Sequence, residues 1–289
     1  MESITVAISP CPNDIWIFGA WILGLVGHEP PDAGFAFLDV ETLNRAAMRG
    51  EYDLVKVSAA AALELGKTYR ILPSGAAFGL GAGPKLVVAK DFQGPVATIA
   101  VPGVRTTALA VLRAALADPG VQAGPLLPDR DADILPMRYD AIVPAIRAGK
   151  ADAGLLIHET ALVFETHGLK KICDLGQWWE AHTSGSPLPL GCIIAKKSLG
   201  RDFLHDLAGR IRQSIEAARD NPEAVMPLVR SLAQELDETT LARHIGTYVN
   251  ELSFEMGASG AKALTELDIL MRNDREWRDC RLPAFDESW

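Results

Sequence analysis

The sequence predicts an α/β protein of two domains, because strand and helix patterns alternate along most of the chain. Its 289 residues are enough for two ordinary domains. Hydrophobic residues make up 48% of the chain and charged residues 22%, as in a folded globular protein. Two β-like runs, 85–90 and 192–196, stand at the borders of βα-rich stretches. Interpreted as strands that cross between domains, they predict a smaller inserted domain at 93–192. The larger, discontinuous domain then comprises 1–92 and 193–289.

The first two thirds of the chain supply the alternating elements. The predicted strands are the buried, apolar runs at 4–8, 53–57, 85–90, 97–101, 153–157 and 192–196. The predicted helices are an apolar helix from Ile15 that Asn13 or Asp14 should cap, an alanine-rich helix after Ser58, a helix at 108–116 capped by Thr106 or Thr107, and a helix at 142–147. This order predicts a parallel or mixed sheet covered by helices on both faces.

After Lys197 the sequence predicts helices that pack back on the first domain. An apolar residue recurs every three or four positions, at Leu204, Leu207, Ile211 and Ile215. Further helices are expected from Pro222 and from Thr239, with Gly257 as a stop.

Charge and cysteine content exclude several classes of protein. The net charge of −9, without a cluster of Lys and Arg, predicts no binding of nucleic acid. Cysteines occur singly at positions 11, 173, 192 and 280, which excludes the common zinc and thioredoxin patterns and predicts a reducing compartment. No Lys or Arg precedes Arg45, and the apolar run 15–26 is too short to span a bilayer. We therefore expect a cytoplasmic protein without a membrane anchor or a bound metal.

Four segments carry chemistry where a strand is expected to end. In open α/β sheets, ligands bind beyond the carboxyl ends of the strands. Distinctive residues stand at such ends in Ser9-Pro10-Cys11-Pro12-Asn13-Asp14, Lys56-Val57-Ser58, Gly103-Val104-Arg105-Thr106-Thr107-Ala108 and His158-Glu159. Their agreement in position predicts one pocket for a small acidic molecule.

The first three segments offer groups that suit an anion, and each has a structural alternative. In the first segment, two prolines make a rigid turn, and the helix that follows offers free N–H groups to an anion. The segment is explained equally well as a turn that caps the first helix. Lys56 lies in an apolar strand. Burial of its charge costs free energy unless the ammonium is paired, lies in a cleft or reaches solvent at a strand edge. The glycine and threonines of the third segment suit a carboxylate, but capping alone explains one threonine. Arg105 suits either an anion or the surface.

His158 is the histidine expected at a strand end, and imidazole is suited to general base catalysis near neutral pH. Glu159 either orients His158 or caps the next segment. The remaining histidines, at positions 28, 167, 182, 205 and 244, are interpreted as loop or helix-surface residues.

Several motifs are excluded by their context. The glycine-rich run 79–83 precedes a strand and so is not a dinucleotide-binding loop. Neither an HExxH nor a GxSxG motif occurs. Trp178-Trp179 could form one wall of a site for an aromatic ligand. When two aromatic residues are adjacent in a helix, however, one usually lies in the core and the other at its rim.

The chain resembles the 1,4-dihydroxy-6-naphthoate synthases of the futalosine route to menaquinone. Beyond the four segments, the resemblance rests on Asp39-Val40-Glu41-Thr42-Leu43-Asn44, Asp174-Leu175-Gly176, Trp178-Trp179-Glu180, Pro187-Leu188-Pro189-Leu190-Gly191 and Tyr248-Val249-Asn250. These motifs occur in order between residues 9 and 250, and their joint occurrence is specific.

The resemblance implies a fold like the type II periplasmic binding proteins, with a ligand cleft between two α/β domains. It implies the conversion of cyclic dehypoxanthinyl futalosine to 1,4-dihydroxy-6-naphthoate without a cofactor and with loss of the ribose-derived part. Arg105 and the loop 183–186 are not matched. Carried over by position, the implied substrate-binding residues are Lys56, Val57, Ser58, Thr107 and Ala108, and the implied proton acceptor is His158.

Other residues and other functions stay open at this point. The candidates to line the cleft, with structural roles as the alternative, are Ser9, Asn13, Asp14, Asp39, Asn44, Gly103 and Thr106. The alternatives to the synthase are the related chorismate dehydratase of the same pathway and a non-catalytic solute-binding protein for a small carboxylate. The sequence makes no prediction about the oligomeric state.

Overall fold

The computed structural model describes residues 3–27, 33–118, 132–233 and 237–274, together with positions 120 and 128. Its strands are β1 (Ile4–Ile8), β2 (Ala33–Phe37), β3 (Leu54–Ser58), β4 (Tyr69–Ile71), β5 (Ala77–Gly79), β6 (Lys85–Ala89), β7 (Thr98–Val101), β8 (Asp133–Pro136), β9 (Ala153–Leu156), β10 (Leu169–Asp174) and β11 (Leu188–Lys196). Its helices are α1 (Pro12–Ile22), α2 (Val40–Met48), α3 (Ala59–Glu64), α4 (Thr107–Ala117), α5 (Ile142–Arg147), α6 (Thr160–Val163), α7 (Leu175–His182), α8 (Arg201–Asp220), α9 (Pro222–Leu232), α10 (Glu238–Tyr248), α11 (Glu251–Phe254) and α12 (Gly257–Asn273).

The strands form two mixed sheets, which confirms the predicted α/β class. The first sheet has the order β2-β1-β3-β11-β4, and β5 also pairs with β11. Strand β1 runs parallel to its neighbours β2 and β3, whereas β11 is antiparallel to all its partners. The second sheet has the order β10-β6-β9-β7-β8, with β7 parallel to β8 and β9. Within each sheet, the carboxyl ends of the parallel strands therefore lie at the same edge, as the site prediction requires.

The second sheet is drawn from the middle of the chain, between Lys85 and Asp174. Strand β6 belongs to it, whereas the sequence interpretation grouped 85–92 with the first domain. Sheet membership does not by itself locate a domain boundary. The division into 1–92 with 193–289 and an inserted 93–192 therefore stays a prediction.

Helices cover both faces of the first sheet because its central strands are apolar on both sides. Along β1, Val6 and Ile8 pack in the cluster formed with α1, α8 and α9, while the intervening Ala7 packs in the opposite cluster with α3 and α12. The predicted apolar face of α8 is confirmed. All four residues of its pattern, Leu204, Leu207, Ile211 and Ile215, are buried.

Two details of the helix boundaries differ from the prediction. Helix α1 begins at Pro12 after Cys11, because proline is well tolerated at the first helical position, and neither Asn13 nor Asp14 is its cap. Gly257 begins α12 instead of ending a helix. The buried face of α12 repeats at helical spacing through Gly260, Ala263, Leu264, Leu267 and Met271.

Within the described ranges, none of the helices has both the length and the apolar character that a membrane span requires. Residues 275–289, including Cys280, lie outside the described residues, as does His28.

Candidate active site

A pocket of about 730 Å³, partly open to solvent, lies where β1, β3 and β9 end and α4 begins. It brings together ten of the residues predicted from the sequence. These are Ser9, Asn13, Asp14, Lys56, Val57, Ser58, Thr106, Thr107, Ala108 and His158. Residues from both sheets therefore contribute to one pocket, as in many small-molecule sites.

Asp39 and Gly103 are not among the residues that line the pocket, and their contacts are structural. Asp39 caps α2, where its carboxylate accepts hydrogen bonds from the backbone N–H groups of Glu41 and Thr42. Gly103 has φ 153°, and a Cβ at this position would lie 2.2 Å from Glu41 Oε2. A side chain at position 103 would therefore displace the first turn of α2.

Asn44 also lies behind the pocket wall and does not line it. Its side chain is fully buried, and Oδ1 accepts a hydrogen bond from the Ser58 backbone N–H at 2.9 Å. Its Nδ2 group contacts Ser58 Oγ and the carbonyl oxygen of Arg105, each at 3.3 Å. Asn44 thus ties the end of β3 to the loop after β7 and positions Ser58.

Lys56 is both paired and part of the pocket wall. Its ammonium lies 2.6 Å from Asp14 Oδ1 and donates a second hydrogen bond to the Gly75 carbonyl oxygen at 3.1 Å. Asp14 Oδ2 accepts from the Ser9 hydroxyl at 2.7 Å. The carboxylate that was expected to cap α1 therefore compensates a buried lysine.

A buried histidine that the sequence interpretation placed on the surface belongs to this network. His244 of α10 is fully buried, and its Nε2 lies 3.0 Å from Asn13 Oδ1. Asn13 Nδ2 donates to Asp14 Oδ1 at 2.9 Å, so Asn13 Oδ1 must be an acceptor and His244 Nε2 must carry the proton. Burial, together with the neighbouring His158, lowers the pKa of His244 to about 3, so the ring is neutral at pH 7.

The surface interpretation of His244 was wrong because it ignored the helical spacing of its neighbours. Leu241, His244 and Tyr248 are the buried residues of α10, three and four positions apart. The sequence therefore contained a signal for a buried imidazole. It contained none for the partner, because Asn13 is 231 residues away.

His158 follows β9 and lies in the left-handed region, with φ 55°, which is uncommon for a residue other than glycine. Its Nε2 is enclosed and has no hydrogen-bond partner among the described residues. The ring of Tyr139 packs edge-on against it, with centroids 4.9 Å apart. Burial is the main reason that the pKa of His158 is lowered to about 4, with a smaller opposing effect from Asp14 and a smaller lowering effect from Lys56.

Glu159 contacts His244. Its carboxyl group is buried, and Oε2 lies 3.8 Å from His244 Nδ1. Glu159 precedes α6 but makes no capping hydrogen bond with its side chain. Of the two roles considered from the sequence, capping is therefore excluded.

The start of α4 presents hydrogen-bond donors to the pocket. Thr106 caps α4, as its side chain accepts from Leu109 N–H. The Thr107 hydroxyl accepts from Ala60 N–H and donates to the Leu190 carbonyl oxygen, so it is occupied within the fold. In the part of the chain that is described, the backbone N–H groups of Thr107 and Ala108 have no acceptor. They are the free donors of a helix N-terminus.

Arg105, Trp178 and Trp179, whose roles the sequence left open, are not among the residues that line this pocket. Arg105 pairs with the carboxylate of Glu64. Trp179 is buried and donates to the Ser186 carbonyl oxygen at 3.0 Å, while Trp178 is half-buried and stacks on His182. The division of the two tryptophans between core and rim is confirmed. Among the described residues, no group of three or more His, Cys, Asp or Glu side chains is arranged to hold a metal ion.

Comparison with known proteins gives a consistent result. A family model described as menaquinone biosynthesis matches residues 4–272. The chain is 40% identical over 269 residues to 1,4-dihydroxy-6-naphthoate synthase of Streptomyces coelicolor, covering 92% of each chain. It is 39% identical over 272 residues to the Thermus thermophilus protein of the same name, covering 92% of this chain and 93% of the relative.

A solved structure confirms the predicted fold. The chain aligns with a Candida albicans protein described as having the generic periplasmic binding protein fold, with a TM-score of 0.68 and 11% identity. The alignment covers 99% of each chain. At this identity the similarity concerns the fold alone.

Proposed function

The chain belongs to the menaquinone biosynthesis family, and from this premise we propose that it is a 1,4-dihydroxy-6-naphthoate synthase with His158 as general base. In this proposal the substrate is cyclic dehypoxanthinyl futalosine, a small carboxylate that loses its ribose-derived part. The observation that carries the proposal is the presence of two kinds of group in one pocket. An imidazole nitrogen without a partner among the described residues and the free donors of a helix N-terminus line the same pocket.

The substrate carboxylate is proposed to bind at the start of α4. The N–H groups of Thr107 and Ala108 suit one carboxylate, and the positive end of the helix dipole favours its charge. The Ser58 hydroxyl accepts from Asn44 and keeps its own proton for a substrate oxygen. Lys56 adds a positive charge at the same wall.

Lys56 can serve the substrate while remaining paired with Asp14. An ammonium group has three N–H donors, and the described contacts occupy two of them. The third is proposed to hold a substrate oxygen. Because Asp14 balances the charge, the site binds this oxygen without leaving an isolated buried cation.

His158 is proposed to take up a proton as the carbon–carbon bond beside the substrate carbonyl breaks. The lowered pKa keeps the imidazole neutral at pH 7, which is the form that accepts a proton. The proton comes from a hydroxyl of the ribose-derived part, whose oxygen becomes a carbonyl as the carbon–carbon bond breaks. The electron pair of that bond moves to the substrate carbonyl oxygen, which takes up a proton, and the new aromatic ring supplies the driving force. The departing fragment carries away the ribose-derived carbons.

The test is to incubate the purified protein separately with cyclic dehypoxanthinyl futalosine and with chorismate and to follow ultraviolet absorbance. We expect the naphthoate spectrum to develop with the first compound alone. Conversion of chorismate would identify the protein as the related dehydratase. Binding of either compound without conversion would instead support a solute-binding role, which the fold also permits.

The remaining features of the proposal concern partners and location. The partner is a small acidic molecule, not nucleic acid, as the net charge of −9 suggests. The free thiols of Cys11, Cys173 and Cys192 support a reducing compartment, so we propose that the protein acts in the cytoplasm. The two-domain division at 93–192 is part of the same proposal.

A further inference from the structure

The acceptor nitrogen of His244 has no partner within the described part of the fold. Because Nε2 carries the proton that binds Asn13, Nδ1 carries the lone pair. Nδ1 is buried and makes no hydrogen bond to any described residue, although the side chain lines the pocket. A buried acceptor without a donor lowers the stability of the folded state, so its presence here needs an explanation.

The surroundings of Nδ1 select the kind of group that can bind there. Glu159 Oε2, a second acceptor, lies 3.8 Å from Nδ1. Two acceptors at this separation disfavour a carboxylate and favour a group that donates hydrogen bonds. The substrate carboxylate is already assigned to the donors at Thr107 and Ala108, which line the same pocket. The pocket therefore offers hydrogen-bond donors at the start of α4 and an acceptor at His244.

We propose that His244 is a substrate-binding residue whose Nδ1 accepts a hydrogen bond from a hydroxyl of the ribose-derived part. The proposal rests on the proposed function and extends it to the end of the substrate that leaves. Since 1,4-dihydroxy-6-naphthoate has lost that part, His244 distinguishes substrate from product. His158 and His244 then have different tasks, proton transfer and recognition of the polyol.

Two substitutions separate recognition from a purely structural role. In His244→Gln the amide nitrogen can replace Nε2 and preserve the bond to Asn13, but the acceptor at Nδ1 is lost. In His244→Asn an amide oxygen can replace Nδ1, but the bond to Asn13 is lost. His205→Gln, on the exposed face of α8, is the matched control for replacing histidine.

The measurements are KM and kcat for the substrate, the inhibition constant of the product and the thermal unfolding temperature. We expect His244→Gln to raise KM by about five- to tenfold, as for one lost hydrogen bond. Product inhibition and unfolding should stay at the values of His205→Gln. His244→Asn should lower the unfolding temperature and raise KM less than His244→Gln does.

Several outcomes would overturn the proposal. One is an unchanged KM in a folded His244→Gln protein, and another is an equal loss of affinity for substrate and product. Wild-type turnover is measured first. Its absence refutes the proposed function and this contact together, whereas normal wild-type turnover with an unchanged His244→Gln refutes the contact alone.

A second measurement keeps the proposal testable if His244→Gln does not fold. Nitrogen NMR of ¹⁵N-histidine in His158→Gln protein follows His244 Nδ1 directly. Addition of the substrate should move the Nδ1 resonance in the direction of a hydrogen-bonded acceptor, and addition of the product should not. A resonance that the substrate leaves unmoved would overturn the proposal.

Discussion

The ammonium of Lys56 lies 2.6 Å from Asp14 Oδ1, and both side chains are more than nine-tenths buried. This ion pair joins β3 to α1 at the wall of the pocket. Asp14 also accepts hydrogen bonds from Ser9 and Asn13, so its carboxylate is well satisfied. The position of the ammonium thus depends on a single compensating charge.

Replacing Asp14 by asparagine should leave Lys56 as an uncompensated buried charge. We expect Asp14→Asn to lower the free energy of unfolding by about 3–5 kcal/mol. Adding Lys56→Met removes the stranded charge, so the double variant should recover most of that loss. Urea denaturation of the two single variants and the double variant measures the coupling. Equal stability of Asp14→Asn and the double variant would show that the pair is not held as described.

Replacing His158 by glutamine should slow turnover by at least about a hundredfold, because general base catalysis typically contributes 10²–10⁴-fold. Glutamine retains polarity and similar bulk, so the inhibition constant of the product should stay near that of the wild type. Steady-state kinetics with His205→Gln as the control measures both values. Near-normal turnover would remove His158 from the mechanism.

The pH profile should reflect the lowered pKa of His158. The reactive form is the neutral imidazole, which persists as pH falls until the pKa of about 4 is reached. We therefore expect kcat/KM to fall on the acidic side with an inflection near pH 4, and to show no inflection at the ordinary histidine value near 6.5. Circular dichroism at each pH verifies that the protein remains folded. An inflection near 6.5 in the free enzyme would contradict the burial of this ring.

The sequence predicted the α/β class and most of the pocket because both follow from local patterns. Apolar runs of strand length placed β1, β3, β7 and β9, and the residues after their carboxyl ends met as expected. Thr106 was predictable as a cap because a threonine directly before a helix commonly accepts a hydrogen bond from an N–H group of the first turn.

The parts that were not predicted depend on contacts between distant segments. Local capping preferences suggested Asp14 for α1, but a buried lysine 42 residues away competes for the same carboxylate. His244 has its partner 231 residues earlier in the chain. Local periodicity can show that such a side chain is buried, but it does not show which group it meets.

His244 should make the stability of the protein depend on pH. The folded state keeps this ring neutral down to about pH 3, whereas the unfolded chain takes up a proton near 6.5. Below 6.5 the unfolded state therefore binds more protons, and the contribution to stability is lost as pH falls towards the folded-state pKa. Relative to His244→Gln, the wild-type free energy of unfolding should fall by roughly 1.4 kcal/mol per pH unit between about 6 and 4.

The same comparison has a clear opposite result. The carboxylates that do not contact His244 have the same surroundings in the two proteins, so their titration cancels in the difference between the unfolding curves. A difference that does not change between about pH 6 and 4 would mean that His244 accepts a proton in the folded state.

Gly83 should tolerate no side chain, and this explains part of the glycine-rich run that is not a nucleotide loop. A Cβ at Gly83 would lie 2.7 Å from the Cα of Gly176 and 2.8 Å from its nitrogen, in the first turn of α7. These are backbone atoms, which cannot rotate away. We expect Gly83→Ala to lower the free energy of unfolding by about 1–3 kcal/mol, as in other overpacked sites.

Gly209→Ala provides the control because it adds the same methyl group inside α8. The nearest atom to its Cβ is an Arg212 side-chain nitrogen at 4.0 Å, so the helix should gain about 0.5–1 kcal/mol. Urea denaturation measures the free energy of unfolding of both variants. The same added methyl group should lower it at position 83 and raise it at position 209. If Gly83→Ala is as stable as the wild type, the segment between β5 and β6 can move away from α7. The glycine would then need another reason, such as close approach of the substrate to the pocket wall that Gly83 forms.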